Sequence, residues 1–303
     1  MIDAVVPSDE TLLRHHVLVR SDNPFQKHAR LLQALWRESR GLPIGLHRDR
    51  PLGSRLAMPY AKETLANYVT EVVREVVRAE VMTPPANSDP LYQEPRIFED
   101  LLSSQPLCFN LFAELQRDLA VASGVFSALL DESVDVTSIA FEYSPGRGDV
   151  RFTADGSAFD VFVRYTAAGV SRFVGIEVKY AENLDVRPAR HRARYEEVAD
   201  RMGVFKAEAR ATLRATPFEQ FWRDHLLAGS LAMDRSSGFD RGTFAVVYPE
   251  GNTIVGNAVV QYGQCLRATE GFRAWTLERV LDAIAATGSA PWVAGVRARY
   301  VGE

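Results

Sequence analysis

The hydrophobic period of this chain changes at residue 136, and that change constrains its architecture more than any other feature. Residues 136–143, 158–165 and 172–180 are short runs rich in β-branched and aromatic side chains. They are separated by Ser144-Pro145-Gly146-Arg147-Gly148-Asp149 and by Thr166-Ala167-Ala168-Gly169. Short apolar runs punctuated by turn formers read as consecutive strands, so the spacing predicts an antiparallel three-strand meander. A further strand at residues 150–152 is predicted inside the first connection. Residues 243–248 form another apolar run before Gly251-Asn252 and predict one more strand.

Helical periodicity lies on either side. Residues 60–82 place Leu65, Val69, Val72, Val73, Val76 and Val77 on one face and Glu63, Glu71, Arg74, Glu75 and Arg78 on the other, the signature of an amphipathic helix. Pro84-Pro85 is predicted to end it, with a loop over Ala86-Asn87-Ser88-Asp89-Pro90. Further helices are predicted at 25–39, 98–102, 107–122, 190–208, 217–233 and 276–286. Helices, a meander, helices, a strand and a helix make a mixed α/β layout, with helices covering a central mixed sheet. Residues 1–100 are expected to form an N-terminal helical or arm-like region, and 101–303 the sheet-containing domain.

Composition excludes several classes. Charged residues make up 24% and the apolar set 47% of the 303 residues, which is globular. No run of eighteen apolar residues occurs, so no membrane helix is expected. The opening Met1-Ile2-Asp3-Ala4-Val5-Val6-Pro7 lacks the basic and apolar regions of a signal peptide. Cys108 and Cys265 make neither a disulfide framework nor a zinc site. A cytoplasmic protein is the expectation. No phosphate-binding loop, nucleophile elbow or zinc-protease motif is present. His15-His16 are adjacent positions that diverge too far on a helix to share a metal.

The chemistry-bearing residues lie inside two of the strands. Asp160 sits between Phe159 and Val161, and Glu177-Val178-Lys179 lies in a strongly apolar run. Strand side chains alternate, so Glu177 and Lys179 share a face. Of 35 basic residues only four are lysine (Lys27, Lys62, Lys179 and Lys206), which makes a mid-strand lysine informative. An unpaired charge in a central strand is costly and calls for a reason. Two carboxylates and a backbone carbonyl form a hard oxygen donor set of the kind Mg²⁺ takes. A lysine beside them can hold a water or offset charge on phosphorus. On a half-exposed strand the same triplet would be an ordinary solvated face.

This combination resembles the PD-(D/E)XK nuclease superfamily. Asp160 matches its second-strand aspartate and Glu177-Val178-Lys179 its (D/E)-x-K. Phe159 stands where the proline of the motif name would be. The likeness covers an α-β-β-β-α-β core over roughly residues 100–250. Ser104-Gln105-Pro106-Leu107, Glu142-Tyr143-Ser144-Pro145 and Gly175-Ile176-Glu177-Val178-Lys179-Tyr180 are similar to those of a bacterial group described as restriction endonucleases. The resemblance implies a restriction-endonuclease-like fold and a Mg²⁺-dependent phosphodiesterase acting on DNA, with Mn²⁺ as a substitute. It implies Asp160, Glu177 and the Val178 carbonyl as metal ligands, Lys179 as the residue that positions the attacking water, and a 5′-phosphate product. A restriction or phage-defence role follows from the same likeness, and a homodimer from the needs of double-strand cutting. A catalytically inactive nuclease fold that binds nucleic acid or a protein is the alternative.

Other residues are candidates around this set. Glu142, eighteen residues before Asp160, is a third acidic ligand or an exposed strand-end glutamate; Glu114 on the preceding helix competes for the role. Gln220 and Arg223 lie three apart on one helix face, either near substrate or facing solvent. His225 reads as a helix-surface histidine. Between residues 187 and 223, nine basic residues (Arg187, Arg190, Arg192, Arg194, Arg201, Lys206, Arg210, Arg214 and Arg223) face five acidic ones (Glu196, Glu197, Asp200, Glu208 and Glu219). Such a surplus suits a phosphate backbone, with Arg190, Arg192 and Arg194 as the grip. Tyr143, Tyr180 and Tyr195 could stack on substrate or pack internally.

Overall fold

The computed structural model describes residues 6–84 and 91–302. The predicted helix stop at Pro85, the loop 86–90 and the first five residues lie outside that set. The chain divides into two compact units, Met1–Glu114 with Pro291–Glu303, and Leu115–Ala290. No helix among the described residues is long and apolar enough to cross a membrane.

In the first unit, the helix Pro24–Ser39 begins with a reciprocal capping box between Asn23 and Gln26 and carries Pro24 in its first turn, both strong start signals. A hairpin follows, β1 (Ile44–His47) and β2 (Arg50–Leu56). The helix predicted over 60–82 is broken. It runs over Tyr60–Thr64, stops where Leu65 turns left-handed at φ 52°, and resumes as Glu71–Val77, capped by Thr70. A wider helical turn, Arg78–Met82, follows. Hydrogen bonds to Asn67 and Asn110 replace the missing helical ones. Asn110 Oδ1 accepts from the Val69 N–H at 2.9 Å, and its Nδ2 donates to the Asn67 carbonyl at 3.2 Å. The apolar spacing suits one helix, but this buried polar network overrides it.

The second unit holds a five-stranded sheet in the order β3-β4-β5-β6-β7, comprising β3 (Asp135–Tyr143), β4 (Phe159–Ala167), β5 (Val170–Val178), β6 (Arg241–Tyr248) and β7 (Phe272–Thr276). The first three strands form the expected antiparallel meander; β6 and β7 join in parallel. The β4–β5 turn has two residues, Ala168 at φ 49° and Gly169 at φ 78°. Two positive φ values match the twist of the hairpin. One face of the sheet, with Phe162, Phe173, Phe244 and Val246, is buried under side chains from the helices Ala193–Met202, Glu219–Met233 and Thr253–Gln264. The helices Leu119–Leu130 and Leu277–Ala286 pack on each other and against β3 and β7. This is the mixed α/β, restriction-endonuclease-like architecture that the sequence implies.

Several boundaries differ from expectation. Residues 150–152 are not a strand: Asp149 organises a run of turns and Phe152 drops into the core. The helix predicted at 107–122 is two, Ser104–Arg117 and Leu119–Leu130, because the Asp118 side chain caps a fresh start. The helix expected over 190–208 is confined to Ala193–Met202, stopped by left-handed Gly203. β7 and the helix Thr253–Gln264 were not predicted. That helix is rich in β-branched residues and glycine, and the Asn252 cap is its clearest local signal.

Candidate active site

Strand register sets the site. Phe141 pairs with Val161, and Tyr143 with Phe159, which puts Glu142 opposite Asp160. Val161 pairs with Ile176, so the next rung puts Asp160 opposite Glu177. Glu177 in turn pairs with Val246 of β6. Three acids on three adjacent strands thus occupy one row across the sheet. Residues directly opposite each other on paired strands are close enough to interact.

Each acid is held differently. Asp160 is half-buried, and its Oδ2 accepts the Val178 N–H at 2.8 Å. Burial, and then the neighbouring Glu177 charge, push its carboxyl well above the usual range against the pull of Lys179. Glu177 is 5% exposed. Its Oε1 accepts from Lys179 Nζ at 2.6 Å and from Gln220 Nε2 at 2.6 Å. Glu142 lies at the end of β3 with φ 46°, a conformation disfavoured for a residue with a Cβ. It pairs with Arg147 at 3.1 Å.

Lys179 is 7% exposed. Its Nζ also donates to Gln220 Oε1 at 2.8 Å. Burial works to lower its pKa, but Glu177, Glu182 and Asp160 outweigh it, and the ammonium is held above its ordinary value. A lysine so placed is a donor and a positive charge rather than a ready base. Gln220 is therefore no solvent-facing partner of Arg223: its carboxamide bridges the acid and the lysine and fixes both. Phe159, at the proline position, lays its ring over Gly175, where a Cβ would sit 2.4 Å from the ring. The bare backbone of β5 lets that ring lie beside the site.

The remaining candidates divide. Arg190 and Arg192 are exposed. The Arg194 guanidinium donates to the carbonyls of Phe152 and Arg151 and pairs with Glu197. Arg223 pairs with Glu219 at 3.3 Å and lies 3.8 Å from Asp155. Glu114 accepts a hydrogen bond from Thr70 at 2.6 Å. Tyr180 and Tyr195 are buried, with Tyr195 Oη on Asp155 at 2.6 Å, and Tyr143 stacks on Phe162 at 4.1 Å. His225, expected on a helix surface, is buried among Phe205, Phe244 and Phe272. Burial lowers its pKa to about 3.

Two residues near the site escaped the sequence reading. Glu182 receives the Tyr180 N–H at 2.7 Å and adds negative charge around Lys179. Asp224 lies one helical turn beyond Gln220 and is 3% exposed. Burial, and next the charge of Glu177, push its carboxyl well up. The i,i+4 spacing from Gln220 was the available signal for Asp224; Glu182 sits in a loop with no period to betray it.

The donor set of Asp160 and Glu177 suits a hard divalent cation. No group of three His, Cys, Asp or Glu residues among the described ones could enclose an ion. Comparison with known proteins gives one result. The family model of the PD-(D/E)XK nuclease superfamily matches residues 20–302, nearly the whole chain. No curated protein and no solved structure matches it.

Proposed function

Because the chain belongs to the PD-(D/E)XK nuclease superfamily, we propose that it is a metal-dependent nuclease that hydrolyses phosphodiester bonds in DNA. The observation that carries this reading is the row Glu142–Asp160–Glu177 across three neighbouring strands, with Lys179 held on Glu177. Superfamily membership implies nuclease activity and a nucleic-acid substrate in general; DNA, Mg²⁺ and a restriction or defence role are the finer parts of the proposal.

Asp160 and Glu177 hold the cation, with the carbonyl of Val178, between Glu177 and Lys179 in sequence, as a further oxygen and Glu142 as an outer acid. When bound, a divalent cation supplies charge that polarises the phosphoryl oxygen under attack. Lys179 directs its N–H groups at the incoming water and offsets the negative charge that grows on phosphorus. Gln220 keeps the lysine and Glu177 in register, an orienting role of the kind outer partners play around metal ligands. Arg190 and Arg192, exposed just before the helix Ala193–Met202, contact the phosphate backbone. Arg194 and Arg223 have protein partners, so the proposed grip narrows to the first two. Residues 1–100 then serve as a recognition region.

A plasmid-cleavage assay with Mg²⁺ or Mn²⁺ tests the proposal. Cutting by the wild type, abolished by chelation and by Lys179→Ala, is the expected result. Retention of DNA without cutting by the wild type would replace it with a binding role.

A further inference from the structure

The hairpin of β1 and β2 has a fixed root and a bare tip. At the root, Gly53, Ser54 and Leu56 are buried. The Gly53 N–H donates to the His16 carbonyl at 2.9 Å, and its own carbonyl accepts from Arg37 Nε at 3.0 Å. Ser54 Oγ accepts from Arg30 Nη1 at 2.9 Å, and the Ser54 carbonyl from the Leu101 N–H at 3.1 Å. Beyond that anchor, every residue from Leu46 to Pro51 is exposed. Leu46 pairs with Pro51 and His47 with Arg50, and the two-residue turn Arg48-Asp49 closes the end. Both turn residues have positive φ, 50° and 62°. Glycine or asparagine adopts that backbone with least strain, so an arginine kept there points to a use for its side chain. The arginines at the root are engaged, Arg55 with Glu99 and Arg30 with Asp22, each at 2.6 Å. Arg48 and Arg50 have no hydrogen bond or ion pair with another described residue.

We propose that this tip enters the major groove of duplex DNA and that Arg48 and Arg50 select guanine there. The major groove admits a two-stranded ribbon, and a guanidinium donating to O6 and N7 of guanine is its commonest specific contact. The Leu46–Pro51 pair supplies the other kind of base-edge contact, an apolar surface for a thymine methyl group. Strand alternation puts that pair on one face of the ribbon and His47 with Arg50 on the other. A protein partner fits the tip less well. Stable protein contacts are built around a desolvated apolar patch, and here one apolar pair stands beside two guanidinium groups. The inference rests on the reading of the chain as a nuclease of DNA and adds which element chooses the sequence; its test separates the two.

The experiment mixes the full-length chain with a pool of random-sequence DNA duplexes and sequences the bound fraction. It is run in Ca²⁺, which occupies oxygen sites without the octahedral geometry of Mg²⁺, so that cutting is suppressed. Plasmid cleavage in Mg²⁺ or Mn²⁺ is measured alongside. The wild type should enrich a motif that contains guanine. Arg48→Gln and Arg50→Gln should each lose the guanine preference at one position, with urea midpoints equal to the wild type because both side chains are exposed. Replacing the selected guanines by 7-deazaguanine, which lacks the N7 acceptor, should weaken wild-type binding about tenfold or more and leave binding by the double variant unchanged. Variants that enrich the wild-type motif overturn the role of the hairpin. A wild type that cuts plasmid but enriches no motif does the same and leaves the nuclease reading standing. A wild type that enriches a motif lost in the variants, yet never cuts, keeps the hairpin contact and overturns the nuclease reading. A wild type that neither enriches nor cuts overturns both.

Discussion

Arg299 in the first unit and Lys179 in the second are both cations withdrawn from water, at 0% and 7% exposure, yet their surroundings differ in kind. The Arg299 guanidinium meets neutral acceptors: Gln33 Oε1 at 3.1 Å, the Asn67 carbonyl and the Asn67 side-chain oxygen. The Trp36 ring lies with its centre 4.0 Å away. These partners are backbone and amide groups, and the cluster fixes the bend at Asn67 where the predicted helix breaks. Lys179 sits instead among acids that outnumber it, including Glu177, Glu182 and Asp160. A buried cation saturated by neutral dipoles secures a fold, whereas one set among surplus carboxylates leaves negative charge for something else to neutralise.

The largest effect that can break this comparison is catalytic. Lys179→Ala should lower plasmid cleavage by about a thousandfold or more, read as initial nicking rate at a temperature where its urea transition shows the variant folded, since Glu177 loses its cation and some stability goes with it. A folded variant that nicks as fast as the wild type would make Lys179 a structural residue. Arg299→Met should give the opposite pattern. It strands the Gln33 and Asn67 acceptors and should cost about 3 kcal/mol or more of stability in urea titrations. Gln220→Ala removes the bridge between Lys179 and Glu177, and a loss of about ten- to a hundredfold in cleavage or cation affinity is expected.

A buried group without charge sharpens the contrast further. The Tyr262 hydroxyl donates to the Phe221 carbonyl at 3.3 Å, so His225 Nδ1 carries the proton of its 3.0 Å bond to Tyr262. The folded pKa of about 3 lies below the ordinary value of 6.5. The unfolded chain therefore binds the extra proton first as pH falls. The resulting stability is complete above about pH 6.5 and is lost toward pH 3, at up to about 1.4 kcal/mol per pH unit. Urea titrations of wild type and His225→Phe between pH 4 and 7 should show a shallower slope in the variant. The smallest effect belongs to the exposed arginines. Arg190→Gln and Arg192→Gln should each weaken DNA binding modestly for all sequences and reduce the salt-dependence slope by about 1, as measured by fluorescence anisotropy.

The meander, the extra strand and the Asp160 and Glu177-Val178-Lys179 positions were legible because strand alternation and turn formers are local signals. The alignment of Glu142 with both could only be guessed, since it depends on register across two strand pairs. Gln220, Asp224 and His225 were obscured for a related reason. Ten residues of the helix Glu219–Met233 are buried, including Glu219, Asp224 and His225. A helix buried on most of its circumference has no wet face from which to read orientation. The break at Leu65 was hidden because its cause, Arg299 bonding to Asn67, lies 232 residues away in sequence.

The two-residue turn at Ala168 and Gly169 carries a consequence out of proportion to its size. Surface loops are ordinarily where chains accept changes in length. Here the loop sits seven rungs from Asp160, about 23 Å along the hairpin at strand spacing, and still dictates which residue Asp160 confronts. One added amino acid that slipped the pairing by a single step would send the acid to the opposite surface. In descendants of this chain, then, the exposed tip should tolerate substitution far better than insertion.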